Sequence, residues 1–105
     1  MPPPPVPTYQ VRGSATGVQG LPGGQLVGIN GAWCEPGDEV LPGTVLDVSL
    51  LFPGNTLPKV SIYSEDLIRD SGETPPRQGV ALTLLVDGEH AANVVPVITC
   101  RDMTP

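Results

Sequence analysis

The 105-residue chain has the length of one domain, and its 39% hydrophobic content is too high for a wholly disordered protein. Thirteen glycines and 14 prolines predict a modest core with many turns. Eleven acidic against five basic residues give a net charge of −6, the wrong sign for binding nucleic acid or an anionic membrane, and the longest apolar runs fall far short of the roughly 20 residues that span a bilayer. We therefore expect no nucleic-acid or membrane partner.

The first third of the chain is nearly uncharged. Residues 1–34 carry one charged side chain, whereas the remaining 71 residues carry the other 15. Prolines at positions 2–5 favour a polyproline II start, and seven glycines in the same segment exclude a stable helix. We predict an extended arm over residues 1–32 and a β domain over residues 33–105. Since the arm lacks the apolar side chains to fix itself, we expect a neighbouring subunit to hold it.

Behind the arm, hydrophobic residues alternate with a period of two, which indicates half-buried strands. The predicted strands are residues 25–29, 44–52, 59–63, 80–86 and 94–100. Pro96 cannot donate to a ladder, so the last strand is predicted at a sheet edge or with a bulge. Residues 64–70 carry a short helical pattern, with Ser64 as its cap.

Pairs such as Pro-Gly and Asp-Gly separate these strands and favour tight turns. No long amphipathic helix is present to connect parallel strands. The predicted fold is therefore all-β, a small antiparallel β-sandwich or barrel with an extended Pro/Gly-rich N-terminal arm.

The reactive side chains are few and scattered. Cys34 and Cys100 lie 66 positions apart, and we expect two buried free thiols, with a disulfide as the open alternative. The single histidine, His90, follows an Asp-Gly turn and is expected to be an exposed loop residue. Nothing around Cys34 frames it as a nucleophile with His90 as its base. We expect no enzyme activity and no cofactor.

Glu35, Asp38 and Glu39 form a compact acidic group around a Pro-Gly turn. The group lacks the alternating ligand spacing of a calcium loop, so a solvated acidic turn is expected and no metal site. The side chains expected to contact a partner lie in the arm and at its end: Pro4, Val6, Tyr9, Val11, Val18, Leu21, Leu26 and Trp33.

A nearly uncharged Pro/Gly-rich arm, residues 1–32, ahead of a compact acidic β module resembles the layout of small virion structural proteins of tailed bacteriophages, especially capsid decoration or cement proteins. The resemblance implies a non-catalytic homo-oligomer that binds the major capsid protein or other virion subunits. It would be assembled in the host cytoplasm, and the absence of a visible secretory signal agrees with that. Two alternatives are a tail or neck component and a β-sandwich module that binds a host or carbohydrate ligand through Trp33, Tyr9 and Tyr63.

Overall fold

The computed structural model describes residues 7–52, 54–72 and 74–103, and within them the chain forms seven β-strands and no helix. The strands are β1 (Thr8–Arg12), β2 (Thr16–Gln19), β3 (Gln25–Trp33), β4 (Glu39–Leu50), β5 (Lys59–Asp70), β6 (Arg77–Asp87) and β7 (Ala91–Arg101). The predicted all-β class is confirmed.

The strands form two antiparallel sheets that pack as a sandwich. In the first sheet β7 is central, with β4 along one side and β1 and β2 in succession along the other. In the second sheet β6 is central, between β3 and β5. Strands β6 and β7 follow each other in the chain, so one short connection links the two sheet centres.

The core lies between these two central strands. Every second residue of β7 is buried, from Ala92 to Cys100, and the alternating residues of β6 from Val80 to Val86 face them. Burial of alternate side chains follows from the pleat, which sends successive residues to opposite faces. The strong period of two in the sequence therefore marks the centre of the molecule.

The predicted arm is largely part of the sandwich. Residues 1–6 lie outside the described residues, but β1 and β2 pair with β7, and β3 pairs with β6. An arm boundary at residue 32 therefore does not separate two structural units among the described residues. Contacts within the chain hold this part of the segment.

Two glycines of this segment allow close strand packing. A Cβ on Gly20 would lie 2.2 Å from the carbonyl oxygen of Val86, and one on Gly31 would lie 2.2 Å from that of Val80. No larger residue fits at either place. The glycine content of this segment predicts a flexible arm. In the structure, Gly20 and Gly31 instead allow the backbones of neighbouring segments to approach each other closely.

Pro96 lies in the central strand β7, so the predicted edge position is wrong. The Pro96 carbonyl accepts a hydrogen bond from the Gly13 amide at 2.8 Å, which places the backbone donor position of Pro96 on the same side. On that side the neighbouring strand is interrupted between β1 and β2. A continuous neighbouring strand would leave one acceptor facing Pro96 without a donor. The break at residues 13–15 lies at this position.

Residues 64–70 extend β5 instead of forming a helical turn, which corrects the helical prediction. The register between β5 and β6 shifts between Ile62 and Ser64, so Tyr63 is the extra residue of a bulge. The shift changes which residues face the other sheet: Glu65 pairs with Leu82 and Leu67 with Val80, and both partners are core residues. The bulge at Tyr63 interrupts the alternation of inward and outward residues, so the residues that follow do not continue the strand pattern and were predicted as a helical turn.

Cys34 and Cys100 form a disulfide, so the expected free thiols are wrong. Their Cα atoms are 5.8 Å apart, within the range that a disulfide spans, and both residues are buried. Cys34 directly follows β3 in one sheet, and Cys100 is the second-last residue of β7 in the other. The bond therefore joins the two sheets at one end of the sandwich.

Replacing both Cys34 and Cys100 by alanine should lower the free energy of unfolding by roughly 4 kcal/mol, because the bond closes a long loop of the unfolded chain. Urea unfolding checks this, and wild-type protein in reductant should shift toward the double variant. Two titratable thiols in the native, unreduced protein would contradict the pairing.

Candidate functional site

The two ends of the sandwich differ in chemistry. The closed end, as named here, contains the end of β3, the start of β4 and the last residues of β7, and polar bonds hold it together. Its ion pairs join Arg101 to Glu39 at 3.6 Å and Arg77 to Asp70 at 3.3 Å. Each ion pair joins neighbouring strands of one sheet, and the disulfide connects the two sheets at this end.

Tyr9 and Asp38 form the centre of the closed end. The Tyr9 hydroxyl donates to Asp38 Oδ2 at 2.5 Å and accepts from the Glu35 amide at 3.0 Å. The other carboxylate oxygen of Asp38 accepts from the Met103 amide at 3.0 Å. One carboxylate thus ties β1, the β3–β4 loop and the chain after β7 together.

Burial and the hydrogen bond to Asp38 raise the pKa of Tyr9 from 10.0 to about 12. Because the pKa of Tyr9 is higher in the folded state than in the unfolded state, protonation of the phenol stabilises the folded state. This stabilisation is complete below pH 10 and is lost between pH 10 and about pH 12. The hydroxyl is thus a structural donor at neutral pH.

The acidic group is only partly the solvated turn that its composition predicts. Glu35 is exposed, but Asp38 is 4% exposed and fully engaged with Tyr9 and Met103. Glu39 is half-buried and pairs with Arg101. Composition does not show which of three neighbouring carboxylates turns inward.

Tyr9→Phe should lower the free energy of unfolding by about 1–2 kcal/mol at neutral pH, since Asp38 loses a buried donor. The variant should also lose the part of the alkaline destabilisation between pH 10 and 12 that Tyr9 causes. Urea unfolding across that range measures both effects. Tyr63→Phe is the matched control, because Tyr63 is exposed, and an equal loss in the control would contradict the role of Tyr9.

The opposite end, named here the apolar end, comprises the β2–β3, β4–β5 and β6–β7 loops and the adjoining strand ends. Eleven large hydrophobic side chains are exposed among the described residues, and seven of them lie at this end. They are Leu21, Leu26, Leu50, Leu51, Phe52, Leu57 and Leu85. Single exposed apolar residues are ordinary, but a concentration of this kind marks an interaction surface.

Local structure explains how these side chains are presented. Leu26 and Leu85 are cross-strand partners on β3 and β6, on the face that points away from the other sheet. Phe52 and Leu57 lie in the loop after β4, where the Asn55 amide bonds back to the Phe52 carbonyl at 3.5 Å. The first pair therefore lies on the outer face of its sheet, and the second pair lies beyond the end of β4.

Polar contacts hold the apolar end in shape without covering it. Asp87 Oδ1 accepts from the Gly23 amide at 3.1 Å, and Gln19 Nε2 donates to the Glu89 carbonyl at 3.0 Å. These bonds join the β2–β3 loop and the end of β2 to the turn after β6. Leu21 thus lies in a loop that is hydrogen-bonded to the end of β6.

The predicted partner contacts in the early part of the chain are mostly internal. Pro4 and Val6 lie outside the described residues. Tyr9 and Val11 are half-buried and pack on the core, and Val18 is a core residue. Because β1 and β2 lie in the same sheet as β7, these inward side chains face the second sheet.

The remaining three predicted contacts differ. Trp33 is half-buried at the closed end, with the Arg77 guanidinium carbon 5.3 Å from its ring centroid and Gly79 against the ring. Leu21 and Leu26 are more than half exposed at the apolar end. These two therefore belong to the candidate surface.

Phe52 and Leu57 were missed by the pattern of alternation. That pattern predicts Phe52 as the last inward residue of a strand ending at residue 52, whereas β4 ends at Leu50. The Pro-Gly pair at 53–54 was the available signal, because a turn there takes the preceding residues out of the ladder.

The residues that could carry chemistry are dispersed. His90 is exposed in the β6–β7 loop at the apolar end, while Cys34 is bonded to Cys100 at the closed end, so the two cannot act together. Within the described ranges, no group of three or more His, Cys, Asp or Glu residues has the proximity to hold a metal ion. The same ranges include no helix with the length and apolarity to cross a bilayer.

The fold and its surface define an all-β protein of two antiparallel sheets, with one end closed by polar bonds and a disulfide and the other end apolar. No family model matches the sequence, and neither the curated proteins nor the solved structures contain a significant match.

Proposed function

We propose that the protein is a non-enzymatic structural module that self-associates through its apolar end within a larger assembly. The observation that carries the proposal is the concentration of seven exposed apolar side chains at one end of the sandwich. Burying such side chains between two copies gains roughly 25 cal/mol for each Å² removed from water.

Charge favours contact at the apolar end over contact elsewhere. The whole chain carries −6, so two copies repel each other over most of their surface. The described charged side chains at the apolar end are Lys59, Asp87 and Glu89, a nearly balanced set. Association there should strengthen as salt screens the remaining repulsion.

Capsid decoration is the narrower form of this proposal. It rests on the layout of the chain, and it names the major capsid protein or other virion subunits as the partner and the virion as the location. Because the described part of the predicted arm pairs within the chain, Leu21 and Leu26 would make the contacts assigned to that arm.

A binding module that works outside the cytosol is the second candidate, and the disulfide favours it. Disulfides persist in oxidising compartments and are rare in the cytosol. Of the three aromatic residues expected to contact a carbohydrate, Tyr9 and Trp33 are engaged internally, whereas Tyr63 is 65% exposed. A ligand surface would therefore form around Tyr63.

Phe52→Glu combined with Leu57→Glu should raise the self-dissociation constant at least about tenfold, because both substitutions place charge in the buried contact. Light scattering coupled to size exclusion over a concentration series measures this, with and without added salt. Thermal unfolding should show that the double variant remains folded.

The matched control is Val45→Glu combined with Tyr63→Glu, which adds the same charge at two exposed side chains outside the apolar end. This control should associate as the wild type does. A wild-type protein that stays monomeric at the highest concentration, or an equal loss in both double variants, would overturn the proposal.

A further inference from the structure

The two sheets leave an open seam between β4 and β5, which are successive strands on the same side of the sandwich. Among the described strands, β4 pairs with β7 alone and β5 pairs with β6 alone, so both are edge strands. Between them lies a cavity of about 340 Å³. The residues that line this seam are Val40, Leu41, Pro42, Glu65, Leu67 and Val80.

Irregularities in both strands keep the seam open. In β4 the register shifts between Leu41 and Val45, where Pro42 lacks an amide donor and Gly43 has a φ of 105°. In β5 the bulge at Tyr63 sets the facing of the residues that follow. The irregular part of β4 and the residues of β5 after its bulge therefore line the cavity.

Leu67 is exposed although it lies on the inner face of its sheet. Leu67 and Val80 are cross-strand partners on the face that points toward the other sheet, yet Leu67 is 58% exposed and Val80 is 1% exposed. A side chain on the inner face of a sandwich is normally covered by the opposite sheet. Here β4 does not reach it, and an apolar wall remains open to solvent.

The edges also offer unpaired backbone groups. An edge strand presents a row of N–H and C=O groups on its outer side, and an extended peptide can pair with them as an added strand. β4 and β5 are each 12 residues long, so the regular part of either edge can pair with an added strand. The apolar cavity between them would accept a side chain of that strand.

Charge selects the chemistry of the occupant. Glu65 lies in the seam, where Oε1 accepts from Thr44 Oγ1 at 2.5 Å, and Asp66 follows it. Of the five basic residues, Arg12, Arg77 and Arg101 already pair with acids of the same chain, and Lys59 and Arg69 lie elsewhere on β5, outside the lining of the cavity. A second copy would bring further acids to this edge, whereas a basic strand would neutralise those present.

We propose that the seam binds an extended peptide that alternates apolar and basic residues, as a strand added between β4 and β5. An apolar side chain of the peptide packs against Leu67 and Val80, and a neighbouring lysine or arginine pairs with Glu65. The site is separate from the apolar end, so the two proposals fail independently.

Three blocked eight-residue peptides test the proposal on the full chain: alternating lysine and valine, alternating lysine and serine, and alternating glutamate and valine. The lysine–valine peptide should bind at least about tenfold tighter than either of the others, since it alone offers both charge and apolar surface. Calorimetry measures the affinity, and amide chemical shifts should change along β4 and β5.

Leu67→Arg should weaken the lysine–valine peptide at least about tenfold, and Glu65→Gln about threefold. Met103→Arg is the matched control, because it makes the same charge change at a similarly exposed apolar residue outside both surfaces and should change the affinity less than about twofold. Absence of binding, equal binding of the lysine–serine peptide, or equal losses in Leu67→Arg and Met103→Arg would overturn the proposal. Glu65→Gln gives an independent answer if Leu67→Arg does not fold.

Discussion

The packing of β6 against β7 is the contact on which the rest of the structure depends. Each of the other five strands pairs with one of these two, and the fully buried side chains of the core come mainly from their alternating positions. Most of the apolar area removed from water thus lies between two strands joined by a short loop. The outer strands add less, because their inward side chains are mostly half-buried. This arrangement leaves β4 and β5 free to depart from regular pairing without loss of the core.

The alternation of apolar and polar residues identified the strands that bury one face in the core, because the pleat sends successive side chains to opposite faces. Residues 80–86 and 94–100 are within β6 and β7, and residues 59–63 begin β5. The same rule failed where the pattern changes phase, at Tyr63 and at the break between β1 and β2. The prediction also failed for Pro96. Proline is normally excluded from a central strand because it cannot donate a hydrogen bond, but here the neighbouring strand is interrupted beside it, so no bond is lost. The pairing of Cys34 with Cys100 is a fact of three-dimensional proximity that no spacing of two cysteines shows.

The two ends of the sandwich illustrate how composition conceals a surface. Glycine and proline counts predict a flexible first third, but the described part of that segment has inward apolar residues at alternate positions of β1 and β2. Its glycines bring backbones together, and only Leu21 and Leu26 of the predicted contacts stay exposed. The exposed set is completed by residues from the β4–β5 loop and β6, which are distant in the chain. A surface built from three loops depends on topology, and hydrophobicity along one segment cannot reveal it.

Edge strands in a two-sheet protein carry a risk of uncontrolled pairing, and the features around the seam limit it. Pro42 and Gly43 distort β4, the bulge at Tyr63 bends β5, and acidic side chains follow directly along β5. These are the devices by which β proteins discourage pairing between identical edges, since like charges and irregular backbones do not match. The acidic side chains do not discourage an unlike strand whose charge is opposite and whose apolar side chain fits the uncovered wall beside Leu67. The charges that oppose self-pairing at the seam are therefore compatible with selective binding there.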